Sequence, residues 1–231
     1  MSSSISVLIE GNYVDAHLYG GLLLAWDDRG RLIIVSTEAV ASAVAEATAL
    51  PRGIARAAFV DNKLLHDPKD RRHSLDLMRG ELTGRPQTVV NLRLESLDPR
   101  FFAVAPNVTV LDLMATYSRL FIATDDALFS VPFDSSHVGD LRKRLAHRCL
   151  ATTPRWGVVS ASCGDAGAWA LLNETDVSGG PARRAEQIDV GVSVRHSWLG
   201  SSLLSFDDDN QIEMFKAAVP MRKGQRRLAL G

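Results

Sequence analysis

Seven aspartates attract attention in the 231-residue sequence because they come in clusters: Asp27-Asp28, Asp125-Asp126 and Asp207-Asp208-Asp209. Gathered at one point, such carboxylates would suit a hard divalent cation, which takes several oxygen ligands. Each cluster, however, falls between two apolar runs, where an aspartate serves a turn by bonding its own backbone. We therefore expect them in separate turns. The run Asp207 to Asn210 also lacks the glycine and the closing glutamate of a calcium loop.

The six histidines are His17, His66, His73, His137, His147 and His196. They form no HExxH or His-x-His pattern, and no CxxC accompanies them, so no zinc spacing is present. His66 and His73 flank a charged turn and read as surface residues. Of the two cysteines, Cys149 and Cys163, the second lies in SASCGDAG and is the one nucleophile worth testing. Its thiolate would need His147 or His196 as a base, and the neighbouring Asp165 is expected to raise its pKa. There is no GxSxG elbow, dinucleotide fingerprint or GxxxxGK[ST] loop. We assign no catalytic residue, no cofactor-binding residue, no cofactor and no metal ligand.

Basic side chains form three groups: Arg71 and Arg72; Arg142, Lys143 and Arg144; and Arg222, Lys223, Arg226 and Arg227. On one face they could contact phosphates, each contact adding a salt-dependent increment. Against this, 26 Lys and Arg are balanced by 27 Asp and Glu, for a net charge of −1, so no global pull toward nucleic acid exists.

Composition sets broad limits. With 46% hydrophobic and 23% charged residues the chain is ordinary globular material, not a disordered one. Two cysteines make no disulfide framework, which points to a reducing compartment. The start MSSSISVLIEG has no basic segment leading into a long apolar one, and no run reaches 18 apolar residues. The expectation is a cytoplasmic protein without membrane attachment.

The elements that must position these residues repeat. LYGGLLLAWDDRGRLIIV (Leu18 to Val35) has the outline of TYSRLFIATDDALFSV (Thr116 to Val131), of the stretch Pro154 to Asn173 and of the stretch His196 to Ala217. Each has an aromatic (Tyr19, Tyr117, Trp156, Trp198), a β-favouring run with small residues, an Asp, Asn or Gly turn, and a second apolar run. Runs of this kind are strands, and the polar residues between them make hairpins. Trp156 lies 39 residues after Tyr117, and Trp198 lies 42 after Trp156. A strand-rich period near 40 resembles that of a β-propeller of the broad WD40, kelch and YWTD type, whose blades are four-stranded sheets. The resemblance covers about residues 1–37 and 88–231. It implies no functional residues, since no GH…WD pair, double-glycine kelch signature or YWTD is present.

The reading is thus an all-β, propeller-like array of four-stranded antiparallel blades, about four or five in number and open to being incomplete, in one domain over 1–231. His196, at the start of a strand, is expected to bond between blades. A helical insertion occupies about 38–87. It comprises an alanine-rich helix Glu38 to Leu50 capped by Thr37, a second over Ile54 to Leu65, and an amphipathic one carrying Leu75, Leu77, Met78 and Leu82. Leu141 to Leu150 reads as another short helix, Thr88 to Ser96 as a strand pair, and Pro181 to Gln187 as a loop. Ile5 to Gly11 and Arg226 to Gly231 read as end strands that pair with each other or offer an edge to a partner. The leading function is a non-enzymatic scaffold or protein-binding module, a subunit of a larger assembly with a protein partner or with itself. The alternatives are a propeller hydrolase or lyase with a site at the central channel, and a nucleic-acid-binding accessory protein using the arginine groups.

Overall fold

The computed structural model describes residues 5–59, 68–103, 108–116, 118–134, 136–155, 158–172, 185–189, 191–199, 202–218, 221–222, 225–226 and 229–230. Tyr117, Trp156 and the segments 60–67 and 181–184 lie outside them. Two compact units divide the chain, Met1–Val104 and Ala105–Gly231.

In the first unit β1 (Ile5–Ile9) precedes β2 (Tyr13–Tyr19), β3 (Leu22–Asp27) and β4 (Arg31–Ser36). Three helices follow: α1 (Thr37–Thr48), α2 (Arg52–Phe59) and α3 (Pro68–Leu82). After them come β5 (Thr88–Leu92), a 3-10 turn over Leu94–Leu97, and β6 (Arg100–Ala103). Strands β2-β3-β4-β6 make one four-stranded antiparallel sheet. Ala25, Ile33 and Val35 alternate onto one of its faces, and α1, β1 and β5 cover that face with Val40, Val44, Val90 and Leu92. Burying a side chain of this size stabilises by roughly 1.5–3 kcal/mol. The insertion therefore acts as a lid over one side of the sheet.

The second unit contains three such sheets. The first has β7 (Val110–Thr116), β8 (Arg119–Thr124), β9 (Leu128–Pro132) and β10 (Arg142–Leu145). The next has β11 (Ala151–Arg155), β12 (Val158–Ser162), β13 (Ala168–Leu172) and β14 (Glu186–Asp189). The last begins with β15 (Arg195–Leu199), β16 (Ser202–Phe206) and β17 (Ile212–Ala218). Beyond a small hairpin of β18 (Met221–Arg222) and β19 (Gln225–Arg226), β20 (Ala229–Leu230) joins it as the fourth strand. The first strands of the three sheets, β7, β11 and β15, lie side by side. Phe121, Ala123 and Leu128 of one sheet pack on Val159, Ala161 and Leu171 of the next. Four-stranded antiparallel sheets that follow one another with their first strands side by side have the arrangement of propeller blades. The chain is thus an all-β, propeller-like array with a helical insertion.

The first four-stranded sheets of the two units match at the level of single bonds. In the first sheet Asp28 N–H donates to Asn12 O at 3.3 Å, and 97 residues on Asp125 N–H donates to Thr109 O at 3.3 Å. The first strand bulges between Tyr13 and Asp15, and 97 residues on between Val110 and Asp112. Gly21 has φ +79° and Ser118 φ +55° at the matching turn, a left-handed backbone that costs a serine more than a glycine.

Several expectations are corrected. Residues 142–145 are a strand, not a helix, because β9 offers them a ladder through Ser130, Phe129 and Leu128. The cap of α1 is Ser36, whose Oγ accepts from Glu38 N at 3.2 Å; Thr37 is the first helical residue and bonds Gly21 O instead. The second helix is described over Arg52–Phe59, and the rest of the expected span, 60–65, lies outside the described residues. On α3, Leu75 and Leu77 are exposed while Leu82 packs on the cluster of Ala41, Leu50 and Ala55, so only part of the expected apolar stripe is buried. Thr88–Leu92 does not form a hairpin with the residues after it: β5 pairs parallel with β1, and 94–97 turn. Glu186 and Gln187 belong to a strand. The end strands make their ladders elsewhere than with each other, β1 with β5 and β20 with β17.

Candidate functional site

The second unit holds a buried polar cluster between its second and third sheets. Ser162 ends β12, Ser193 precedes β15, His196 lies on β15 and Ser205 on β16; all four are buried. His196 Nδ1 is 2.9 Å from Ser162 Oγ, and Nε2 is 3.1 Å from Ser193 Oγ. Ser205 Oγ donates to Ser193 Oγ at 2.9 Å. Gly164, in the left-handed region at φ +57°, exchanges both backbone bonds with Ser193, at 2.8 and 3.0 Å. A neutral imidazole offers one donor and one acceptor, and the serine hydroxyls rotate to match both. Burial pushes the His196 pKa down to about 4, so the ring is neutral at ordinary pH.

A histidine against a serine hydroxyl is half of an acyl-transfer centre. Here both partners are shielded from solvent, and the cluster contains hydroxyls where a third, orienting carboxylate would be needed. The arrangement satisfies buried polar groups and ties adjacent sheets, the role expected for His196. The serines were missed in the sequence, since Ser162 is 34 residues from His196. A corresponding tie joins the first and second sheets of this unit: Asp112 Oδ2 accepts from Thr152 N at 2.6 Å and Thr152 Oγ1 at 2.8 Å.

Cys163 meets neither candidate base through such a bond. His196 is engaged by serines, and His147 stacks on Trp169 with ring centroids 5.2 Å apart. Its neighbour is Cys149, whose thiol donates to Ala151 O at 3.6 Å. Interaction with Cys149 lowers the Cys163 pKa against the effect of burial, opposite to the rise expected from Asp165. Interaction with Cys163, together with burial, pushes Cys149 up.

The aspartates are turn residues. Asp27 Oδ1 accepts from Arg29 N at 3.0 Å and Arg31 N at 2.8 Å, and Oδ2 meets Arg31 Nε at 2.7 Å. Burial raises the Asp27 pKa, but the bonds from Arg31 and Arg29 outweigh it and hold the carboxyl below its ordinary value. Thr124 occupies the matching place in the second unit, its Oγ1 accepting from Ala127 N at 3.0 Å. Asp207 Oδ1 accepts from Gln211 N at 2.7 Å. Among the described residues no group of three or more His, Cys, Asp or Glu is placed to hold a metal, and no helix is long and apolar enough to cross a membrane.

The basic residues are not brought to one patch by anything described. Arg72 is exposed on α3 in the first unit. Arg142 and Lys143 are exposed on β10 in the second, where Lys143 Nζ sits 3.9 Å from Asp126 and 5.5 Å from the Phe129 ring centroid. Arg144 is half-buried on the same strand. Arg71, Arg222 and Arg226 have their backbones in α3, β18 and β19, with side chains outside the described set, as are Lys223 and Arg227 entirely.

One surface was not foreseen. On the last sheet Phe206 pairs with Ile212 and Leu204 with Met214, so these four share a face. Its other face buries His196, Leu203 and Ser205. On the open side Ile212 is 58% and Met214 60% exposed. Arg195 borders them, its guanidinium 4.6 Å from the Phe206 ring centroid. The sequence signal was there: Ile212 and Met214 alternate on one side of the strand, and Phe215 lies on the other.

No protein-family model matches the chain, and no curated protein matches it. Among solved structures, the chain is similar to the N-terminal domain of Nup159, at 10% identity and a TM-score of 0.47 over 96% of this chain and 44% of that one. It is also similar to a chain in the crystal structure of Kap60 bound to yeast RCC1 (Prp20), at 10% identity and a TM-score of 0.44 over 88% and 43%. The chain spans less than half the length of either. The fold assignment rests on the sheets described above.

Proposed function

We propose that this protein is a propeller-type protein-binding module and works as a subunit of a larger assembly. The observation that carries the reading is the open face of the last sheet. In the second unit the first sheet packs on the second and the second on the third, and in the first unit α1, β1 and β5 cover the face of Ala25, Ile33 and Val35. The face of Leu204, Phe206, Ile212 and Met214 has the same apolar character, yet its two most outward side chains are more than half exposed. Contiguous exposed apolar surface of this kind marks protein contact. Its occupant is a folded protein presenting an apolar face of its own, with polar groups at the rim to meet Arg195.

The double variant Ile212→Glu, Met214→Glu tests the reading. Wild type is expected to retain a specific partner in pull-downs that the double variant loses, while both unfold at the same denaturant concentration. Wild type that stays monomeric in light scattering, and captures nothing the variant fails to capture, overturns it. Concentration-dependent dimerisation abolished by the variant would show the occupant to be a second copy and reject the heterologous partner.

A further inference from the structure

The second unit encloses a pair of thiols that neither the fold nor the binding face requires. Cys149 sits in the connection entering β11, and Cys163 directly follows β12. The β11–β12 ladder brings them together: Ala151 pairs with Ser162, and Leu150 N–H donates to Ser162 O at 2.8 Å. Both backbones are pinned, Cys149 N–H to Thr124 O at 2.9 Å and Cys163 N–H to Gly167 O at 2.8 Å. Both side chains belong to one apolar cluster with Phe121, Val159 and Leu171, and the Cys149 thiol donates to Ala151 O at 3.6 Å. They are free thiols, both buried.

We infer that Cys149 and Cys163 are a peroxide-responsive pair, converted by oxidation into a disulfide that fastens the connection between two sheets to the end of β12. Two thiols enclosed in one cluster, on backbones that the β11–β12 ladder holds side by side, have the short reach that a disulfide demands. The apolar cluster excludes other nucleophiles, so an oxidised sulfur meets the second cysteine before anything else. Partly buried Met114, Ala166 and Trp169 border the cluster, and thiols so enclosed are reached more readily by a small hydroperoxide than by a bulky disulfide reagent.

The chemistry balances. The Cys163 thiolate attacks one peroxide oxygen, the O–O bond breaks, and hydroxide leaves and is protonated to water. Cys163 is then a sulfenic acid, oxidised by two electrons. Cys149 sulfur attacks that sulfur; the S–O bond breaks, the Cys149 proton leaves with the hydroxyl as a second water, and the S–S bond forms. In sum two thiols and hydrogen peroxide give one disulfide and two waters. Cys163 is assigned the first attack because the Cys149 proton is engaged by Ala151 O, while interaction with Cys149 lowers the Cys163 pKa. The product closes a loop of 15 residues, counting Cys149 through Cys163, and constrains the unfolded chain accordingly.

The experiment treats the full chain with hydrogen peroxide, then denatures it in an alkylating reagent and measures the intact mass. The expected product has lost two hydrogens, takes up no alkyl group, regains both thiols on reduction, and unfolds several degrees higher than the reduced protein. Under dimedone, Cys149→Ser is expected to trap a sulfenic acid on Cys163, and Cys163→Ser to trap none. Peroxidation of wild type to a sulfinic acid, or two thiols left alkylatable at a dose that consumes free glutathione, overturns the pairing. Because the wild-type measurement alone decides this, a variant that fails to fold leaves the test intact. Sulfenic trapping on Cys149 in Cys163→Ser, with none in Cys149→Ser, overturns the assigned order of attack.

Discussion

His196 on β15 reaches back to Ser162 at the end of β12, Nδ1 to Oγ, across 2.9 Å and between two different sheets. Its second nitrogen holds Ser193, which holds Ser205 in turn. Stacked sheets gain most of their cohesion from apolar burial, which is non-directional. A satisfied polar cluster adds direction, because only one relative placement of the sheets pairs every group.

Removing the imidazole should therefore cost more than its volume. His196→Ala leaves Ser162 and Ser193 facing a void, and we expect a loss of about 2–4 kcal/mol in urea unfolding. His196→Asn, which keeps a donor and an acceptor, should lose less. Equal losses for the two variants would reduce the role of the ring to packing.

The same ring makes stability depend on pH. Unfolded histidine titrates near 6.5, whereas burial holds His196 at about 4 in the folded protein. Between those values the unfolded chain binds a proton that the folded chain refuses, so stability is complete above about pH 6.5 and falls as the pH drops to about 4. The difference corresponds to about 3 kcal/mol. Urea midpoints at about pH 7 and about pH 5 should diverge in wild type and lie closer together in His196→Asn.

Asp112 and Thr152 make the tie between the preceding two sheets, so they should be coupled. Asp112→Ala is expected to destabilise by about 1–3 kcal/mol, and Thr152→Val by less because the backbone bond survives. In the double variant the losses should fall short of additivity by about 0.5 kcal/mol or more, the mark of a direct contact. Full additivity would deny the bond an energetic role.

Adjacent aspartates should behave differently. Asp27 is buried and holds Arg29 and Arg31, while Asp28 is exposed and, among the described residues, its side chain meets a 3.5 Å contact from Asn12 Nδ2. Asp27→Ala is expected to cost about 1–3 kcal/mol and Asp28→Ala under about 0.5 kcal/mol in chemical denaturation. The Asp27 pKa is depressed on folding, so its contribution is present above the ordinary carboxylate range and lost as pH falls through its folded value.

Much of the architecture was legible in the sequence. The hairpins announced themselves through β-favouring runs flanking Asp27, Asp125 and Asp207, because a turn and its strands are local and each residue type has a preferred place there. Their recurrence, with buried small residues at Ala25, Ala123 and Ala161, identified stacked blades. The insertion between Thr37 and Pro86 was equally plain, since an alanine-rich run does not suit a strand. The bond expected of His196 could be anticipated in kind, though its partners could not.

What only the tertiary structure decided was the pairing of residues far apart in the chain. Leu141, Leu145 and the basic residues between them fit a helix by spacing, but a ladder waiting on β9 made 142–145 a strand. Ile5–Ile9 reads as a strand by itself; that it runs parallel to Thr88–Leu92, across the whole insertion, is written in neither segment. Ser162, Ser193, Ser205 and Cys149 each look ordinary alone and acquire meaning from a neighbour brought up by sheet stacking. Local sequence fixes backbone preference within a few residues. Long-range partners are chosen by whichever arrangement buries the most apolar surface while pairing every buried polar group, and that choice is a property of the assembled chain.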